Sequence, residues 1–199
     1  MNRATYVLLV AAAALLAGLV SVLVFNREGL EKTVTSAVDI GGPFRLAAAK
    51  GGMVDSADLL GKPYGVFFGY THCPEVCPTT MFEMSKALTT LGDEAKDFRL
   101  FFITVDPERD TAQMLKDYLS NFDPRMEALV PSMTELPIAA KAFRAIYNKV
   151  PTSDGSYTMD HTATVFLMGR DGKLFGTIRY GEKPDDRAAK LRRLMKAGT

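Results

Sequence analysis

The chain has 199 residues, a length that fits one domain of ordinary size and leaves no room for a second large one. Its 24 basic and 23 acidic residues give a formal net charge of +1, which excludes the clustered basic excess that marks nucleic-acid binding. The chain has only two cysteines and two histidines, so any site built from soft ligands must draw on these four residues and the 10 methionines.

The first segment of the chain, residues 6–25, is apolar and uncharged, and it is long enough to cross about 30 Å of hydrocarbon as a helix. A cleaved signal peptide has a shorter apolar core of about 7–15 residues, followed by a small-residue cleavage site. Here the small residues lie inside the run. We therefore predict a tail at 1–5, an uncleaved transmembrane anchor at 6–25, a polar linker at 26–41 and one folded domain at 42–199. The flanking charges do not fix the orientation, so we adopt the usual signal-anchor arrangement with the domain outside.

Beyond residue 41, segments typical of strands alternate with segments typical of helices. Short apolar runs predict strands, whereas apolar residues at helical spacing predict helices. We predict strands over 44–49, 65–70, 99–105, 164–168 and 174–179. We predict helices over 78–91, from a cap at Asp110 and Thr111 to Asn121, over 134–146 and over 183–197. This order, with a hairpin formed by the last two strands, predicts an α/β fold with a mixed central sheet flanked by helices.

The two cysteines, Cys73 and Cys77, follow the strand 65–70 directly, where the chain turns into the helix 78–91. Open α/β sheets place their sites at such strand ends. Pro78 suits the first helical position, which puts Cys77 at the helix start and Cys73 on the loop before it. The positive end of a helix favours thiolates. At this spacing the two sulfurs can converge on one metal ion or close a disulfide, which by itself would stabilise the domain by only about 2 kcal/mol.

His161 is the candidate for a third ligand. It lies just before the strand 164–168, and pairing of that strand with 65–70 would bring the imidazole to the sheet edge that carries the cysteines. Asp160 or a backbone carbonyl would then hold the other ring nitrogen. On spacing alone, a surface or capping role for His161 stays open. We expect His72 to be structural, because it adjoins the first cysteine and neighbouring side chains of an extended loop point apart.

Two thiolates and one imidazole form a soft set of three ligands. Copper suits this set, as Cu(I) or as Cu(II) with an added water or side chain. Structural zinc normally takes four protein ligands, and the sequence offers no evident fourth. The sequence therefore predicts a copper site of Cys73, Cys77 and His161. A thiol–disulfide oxidoreductase that uses the cysteines without the histidine is the competing interpretation.

A second motif follows the strand 99–105 and reads Asp106-Pro107-Glu108-Arg109-Asp110-Thr111. Its residues have sufficient local roles as a turn, a helix cap and an ion pair of Arg109. We favour that interpretation over a rim around the site or a surface for a partner.

Taken together, these motifs resemble the Sco/SenC family of cytochrome c oxidase assembly proteins. The resemblance covers most of residues 41–180 and rests on motifs in a fixed order, which are GGPF at 41–44, FGYTHCPEVCP at 68–78, ITVDPERDT at 103–111, NFDP at 121–124 and the pair Asp160-His161. It implies a thioredoxin-like fold behind a membrane anchor. It also implies that Cys73, Cys77 and His161 bind copper and that Asp160 is important beside the site.

The resemblance implies a function as well: delivery of copper to the binuclear copper centre of oxidase subunit II, or reduction of that subunit's cysteines. Subunit II would be the main partner, with other copper chaperones or thiol reductants as further ones. The expected location is the inner membrane of a bacterium, with the domain in the periplasm. Thioredoxins usually carry C-x-x-C and a proline before the facing strand, whereas this chain has three intervening residues and His161-Thr162 there. Val66 and Tyr70 replace residues of the usual peroxiredoxin motif, which argues against a peroxidase.

Overall fold

The computed structural model describes residue 2, residues 13–18 and 20–22, and residues 40–197. Within this described part of the chain, no helix is both long and apolar enough to cross a membrane. The predicted tail 1–5, anchor 6–25 and linker 26–41 lie largely outside the described residues. All three therefore remain predictions.

The chain divides into two compact units, residues 1–38 and residues 39–199. In the first unit, the described residues 13–18 and 20–22 are helical. The second unit contains strands and helices in alternation. Its strands are β1 Arg45–Ala48, β2 Met53–Asp55, β3 Tyr64–Gly69, β4 Arg99–Thr104, β5 Met126–Val130, β6 Tyr147–Pro151, β7 Tyr157–His161, β8 Thr164–Met168 and β9 Leu174–Arg179. Its α-helices are α1 Val76–Leu91, α2 Ala112–Leu119, α3 Glu135–Phe143 and α4 Pro184–Lys196.

Seven of these strands form one mixed sheet in the order β2-β1-β5-β4-β3-β8-β9. The central strands β3, β4 and β5 run parallel to one another, and β8 pairs antiparallel with β3. All six residues of β3 are buried, which explains why its sequence is a continuous apolar run instead of an alternating one. Strands β6 and β7 form a separate two-stranded antiparallel sheet. The predicted mixed sheet is confirmed, and so is the predicted pairing of β8 with the strand before the cysteines.

Every predicted strand and helix is present, although several boundaries differ. Helix α1 begins at Val76, so Pro78 is its third residue and not its first. The proline is still tolerated, because the N–H groups of the whole first turn lack helical partners. Helix α2 is capped by Thr111 alone, whose Oγ1 accepts a hydrogen bond from the Met114 N–H at 3.2 Å. Helix α3 ends at Phe143 because Arg144 takes a left-handed conformation with φ of 51°.

The core lies between the sheet and its helices. The methionines and leucines of α1 that recur at helical spacing are buried in it, as predicted from their pattern; these are Met81, Met84, Leu88 and Leu91. Their burial fixes α1 against the sheet. The first turn of this helix, which carries one of the two cysteines, is therefore held in place by the core.

Candidate metal centre

The cysteines lie where the chain leaves β3 and enters α1. Cys77 is the second residue of the helix and is fully buried, while Cys73 lies on the preceding loop with 9% of its surface exposed. The Cys77 N–H donates a hydrogen bond to the Cys73 Sγ at 3.3 Å. The sulfur thus satisfies one of the free N–H groups at the helix start, where Glu75 offers no side-chain cap. Both thiols are free, without a disulfide between them.

His161 is the last residue of β7, and the structure brings its ring to the cysteines. The distance from its Nε2 to the Cys77 Sγ is 3.3 Å. The donor atoms of Cys73, Cys77 and His161 all lie within 4.8 Å of one another. Three donors spaced evenly around one ion at bond lengths of about 2.0–2.3 Å lie about 3.5–4.0 Å apart, so a contraction of at most about 1 Å would complete the triangle.

Two aromatic rings and one carbonyl orient the imidazole. The rings of Phe67 and Tyr70 meet it edge-on, with centroid distances of 5.9 Å and 5.7 Å. Its Nδ1 lies 3.4 Å from the carbonyl oxygen of Thr162. Because a carbonyl only accepts hydrogen bonds, this contact forms when the proton is on Nδ1, which is the tautomer whose Nε2 can bind a metal ion. Neither ring was predicted from the sequence; the available signal was Tyr70, which directly follows β3.

Asp160 and His72, the two other residues considered from the sequence, lie outside the group of three donor side chains. Asp160 is exposed, and on the strand it lies opposite Asn148. The contact to the imidazole Nδ1 comes from Thr162, the carbonyl alternative to Asp160, so a role for Asp160 beside the site remains a prediction. His72 is 46% exposed at its side chain, and its Nδ1 lies 3.1 Å from the Thr71 Oγ1.

A buried carboxylate, Asp110, holds the loop that carries Cys73. It accepts hydrogen bonds from the Thr71 N–H at 3.1 Å, from the Thr71 hydroxyl at 2.6 Å and from the Thr104 hydroxyl at 2.6 Å. Asp110 is only 1% exposed, so these bonds are made away from water. They join the end of β4 to the cysteine loop. The prediction that Asp110 caps α2 is therefore wrong: its carboxylate turns inward to this loop, and Thr111 provides the cap.

The charges of the two thiols are coupled. The hydrogen bond from the Cys77 thiol lowers the pKa of Cys73 to about 3, although burial acts in the opposite direction. The same hydrogen bond, followed by burial, raises the pKa of Cys77. One proton therefore leaves the pair easily and the second is retained. An incoming thiophilic cation would meet a thiolate at Cys73 and would have to displace the proton of Cys77.

The geometry can be compared with known proteins. A family model described as SCO1/SenC matches residues 32–196. Protein SCO1 homolog, mitochondrial, from Homo sapiens is 32% identical over 184 residues, which cover 89% of this chain and 61% of that protein. The chain thus spans less than two thirds of this relative's length.

Two structures with the same fold extend the comparison. ScoI of Bradyrhizobium japonicum with copper bound is 47% identical and superposes with a TM-score of 0.72, covering 78% of this chain and 99% of the other. BsSco, described as a member of the Sco family of cytochrome c oxidase assembly proteins with a disulfide switch, is 24% identical, with a TM-score of 0.62 and coverage of 82% and 98%. Both matches confirm the predicted thioredoxin-like architecture. With a family model that matches most of its length and a relative above 30% identity, the chain belongs to the SCO1/SenC family.

Proposed function

We propose that this chain is a copper metallochaperone: it binds one copper ion through Cys73, Cys77 and His161 and delivers it to the binuclear copper centre of cytochrome c oxidase subunit II. The observation that carries the proposal is the convergence of two sulfurs and one imidazole nitrogen within 4.8 Å. This donor set suits copper better than zinc or a hard cation. The copper held by the comparison structure of ScoI supports the same assignment.

The surroundings of the three donors favour transfer over permanent storage. Three protein ligands leave an open coordination position at which a thiolate of the acceptor can bind before the donor ligands leave. Cys77 is fully buried, whereas Cys73 is 9% exposed and His161 is half-buried. Copper would therefore leave from the side of Cys73 and His161. The apolar run 6–25 supports a membrane anchor. We place this anchor in the bacterial inner membrane, with the domain on the periplasmic side near the oxidase.

Thiol–disulfide exchange with subunit II is the second candidate, and the lowered pKa of Cys73 favours it. The Cys73 thiolate would attack a disulfide of the partner, forming a mixed disulfide and releasing one partner thiolate. The Cys77 thiol, on losing its proton, would then attack the Cys73 sulfur and release the second partner thiolate. Two electrons pass to the partner, and a Cys73–Cys77 disulfide remains. This function needs both cysteines but not His161, and a separate thiol reductant would have to regenerate the pair.

The test of the main proposal is an anaerobic Cu(I) titration of the reduced full-length chain in detergent, in competition with a chromophoric chelator. We expect one copper per chain. Because loss of an outer partner of a ligand already weakens metal sites by about 10–100-fold, Cys73→Ser, Cys77→Ser and His161→Ala should each weaken binding by about 100-fold or more. His72→Ala is the matched control, since it removes the only other histidine and should change the affinity by less than about twofold. Full affinity in both Cys73→Ser and His161→Ala would refute the site.

Incubation with a soluble copper domain of subunit II separates the two functions. Copper delivery predicts that the absorption of the binuclear centre appears with the wild-type chain and fails to appear with His161→Ala. Thiol exchange predicts that an oxidised acceptor gains two thiols per domain with both proteins. If His161→Ala reduces the acceptor as fast as wild type and copper transfer is absent from both, the second candidate replaces the first.

A further inference from the structure

The hairpin formed by β6 and β7 carries His161 but stands apart from the main sheet. Within the described residues, its two strands pair only with each other, in the register Tyr147 to His161 through Pro151 to Tyr157. The cysteines, by contrast, are fixed by β3, α1 and the core. The two halves of the ligand set therefore belong to different sheets. The position of the imidazole therefore depends on two supports: the short connection through residues 162–163 to β8, and the side-chain contacts between the hairpin and the body of the domain.

Arg109 makes the most extensive of these contacts. Its Nη1 donates a hydrogen bond to the carbonyl oxygen of Tyr157, the first residue of β7, at 2.9 Å. Its guanidinium lies over the Tyr157 ring with its central carbon 3.6 Å from the ring centroid, and 5.9 Å from the centroid of Tyr70. The arginine therefore holds the backbone and the ring of the same residue. This planar, two-sided grip is one that a lysine ammonium cannot reproduce.

Asp106 fixes Arg109 and grips the same tyrosine a second time. The carboxylate is 1% exposed, forms an ion pair with the Arg109 Nε and accepts a hydrogen bond from the Tyr157 hydroxyl at 2.9 Å. The Asp106 N–H donates to the Thr104 hydroxyl at 3.0 Å, which ties the carboxylate to the end of β4. Asp106, Arg109 and Tyr157 thus form a closed set of contacts, called here the hairpin clamp, between the central sheet and the start of β7.

The clamp lies one strand length from the imidazole. Tyr157 and His161 are the first and last residues of β7, and at about 3.3 Å per residue their backbones lie about 13 Å apart. Because β8 of the main sheet begins at Thr164, loss of the clamp would tilt β7 about its His161 end; a tilt of about 10° would move Tyr157 by about 2 Å and turn the imidazole by the same angle, away from its alignment with the cysteines. Further contacts support the hairpin between these ends: the hydroxyls of Tyr70 and Thr158 lie 2.7 Å apart, Met159 is buried in the core, and Lys149 on β6 donates to the Glu108 carboxylate at 2.5 Å.

We propose that Arg109, held by Asp106, is a positioning residue that sets the imidazole of His161 against the cysteine pair and so sets copper affinity. This inference rests on the proposed function, because it assumes that His161 is a copper ligand. Forming a buried ion pair adds little net stability, because the cost of desolvating the two charges offsets much of their attraction. The Arg109–Asp106 pair therefore does not by itself explain why an arginine lies here. In addition, the Arg109 Nη2 is buried and, among the described residues, lacks a hydrogen-bond partner. The specific effect of the arginine is geometric.

The test measures Cu(I) affinity of the full-length chain for Arg109→Ala and Arg109→Lys, with Arg125→Ala as the matched control. Arg125 also pairs with a buried aspartate, Asp123, and donates to the backbone carbonyl of Gly92, but it makes none of its contacts with the hairpin. We expect Arg109→Ala to weaken copper binding by about 10–100-fold, Arg109→Lys to rescue it only in part, and Arg125→Ala to leave it within about twofold of wild type.

A double-mutant cycle separates positioning from general damage. If Arg109 acts through the imidazole, the 10–100-fold loss should disappear when Arg109→Ala is introduced into the His161→Ala chain. An equal loss in both backgrounds would overturn the proposal. Should Arg109→Ala fail to fold, Tyr157→Phe replaces it in the cycle. It removes only the hydroxyl bond to Asp106 and should weaken copper binding by about threefold to tenfold.

A copper-free measurement keeps this inference distinguishable from the proposed function. The reduced chain has only two imidazoles, so a nitrogen-15 NMR spectrum of the rings resolves His161 with His72 as an internal reference. Arg109→Ala should shift or broaden the His161 ring signals and leave those of His72 unchanged. If wild type and His161→Ala bind copper equally, the proposed ligand set is wrong, and the ring spectrum of Arg109→Ala alone tests whether the clamp positions His161. If Arg109→Ala leaves the His161 signals unchanged and its copper affinity is within threefold of wild type, the positioning role of Arg109 is overturned.

Discussion

The buried hydrogen bonds around Thr104 give the sharpest stability prediction. Thr104 is fully buried at the end of β4. Its hydroxyl donates to the Asp110 carboxylate at 2.6 Å and accepts from the Asp106 N–H at 3.0 Å. The change Thr104→Val keeps the shape and the branched Cβ but removes both bonds. It therefore tests whether these polar contacts hold the cysteine loop and the hairpin clamp together.

The structure allows the magnitude to be worked out. A hydrogen bond to a charged group contributes about 1.5–3 kcal/mol, and a buried N–H left without a partner costs about 1–3 kcal/mol. Part of this loss is offset because a methyl group is easier to bury than a hydroxyl. We expect Thr104→Val to lower the free energy of unfolding by about 2–4 kcal/mol. That corresponds to a fall in the folding equilibrium constant of about 30-fold to 900-fold.

The assay is urea unfolding of the reduced, copper-free full-length chain in detergent, followed by far-ultraviolet circular dichroism. Thr80→Val is the matched control. Thr80 is also buried, but its hydroxyl donates only to the helix carbonyl of Val76 at 2.7 Å, so we expect a change within about 1 kcal/mol. A shift of the midpoint with an unchanged slope would show a change in stability alone. A loss below about 1 kcal/mol for Thr104→Val, or an equal loss for both variants, would refute the reasoning.

Three further outcomes are expected. Gly69→Ala should lower the free energy of unfolding by about 1–3 kcal/mol in the same urea assay, because an added Cβ would lie 2.8 Å from ring atoms of Phe67 and Phe102; an unchanged midpoint would contradict this. The pKa of Asp123 is lowered: burial raises it, and the Arg125 pairing more than offsets burial. The charged carboxylate thus stabilises the fold above its unfolded pKa of about 3.9, so the stability difference between wild type and Arg125→Ala should be largest near pH 7 and narrow as the pH falls below about 4. A stability difference between the two proteins that stays constant from pH 7 to pH 3 would contradict this role of the Asp123 charge. Finally, one equivalent of Cu(I) should raise the melting temperature of the reduced chain, and a competing chelator should reverse the rise, since copper binds only the folded site tightly.

The parts of the fold that the sequence predicted well are those with strong apolar periodicity. Strand β3 is a continuous apolar run because both faces of this central strand are buried, and α1 repeats its apolar residues at helical spacing. The cysteines could be placed between these two elements because a strand end and a helix start lie on either side of them. The chemistry of two thiols at a helix start could then be inferred before any distance was known.

The hairpin was missed because its strands carry little of that signal. In β6 four of five residues are exposed, and in β7 only Met159 is buried, so neither strand shows a regular apolar alternation. The available signal was the turn between them, where Asp154 precedes Gly155, which has a φ of 83°. Strands β2 and β5 were missed as well: β2 has only three residues, and β5, with the sequence MEALV, combines a charged Glu127 with residues that favour helices.

The correct placement of the cysteines and the failure to predict the hairpin have one physical cause, which also affects how the site works. The cysteine half of the site lies between β3 and α1, whose apolar burial a sequence pattern reveals. The histidine half is held by one buried side chain, Met159, and by contacts between residues far apart in sequence, such as Arg109 to the Tyr157 carbonyl, which no local pattern reveals. Removing Arg109 would leave the buried Asp106 carboxylate without its partner, which lowers stability as well as disturbing the hairpin. Tyr157→Phe keeps that ion pair and removes only the hydroxyl bond to Asp106. We therefore expect Tyr157→Phe to lower copper affinity at a cost in stability of only about 0.5–1.5 kcal/mol, whereas Thr104→Val, which loosens the cysteine loop from within the core, should lower both by more.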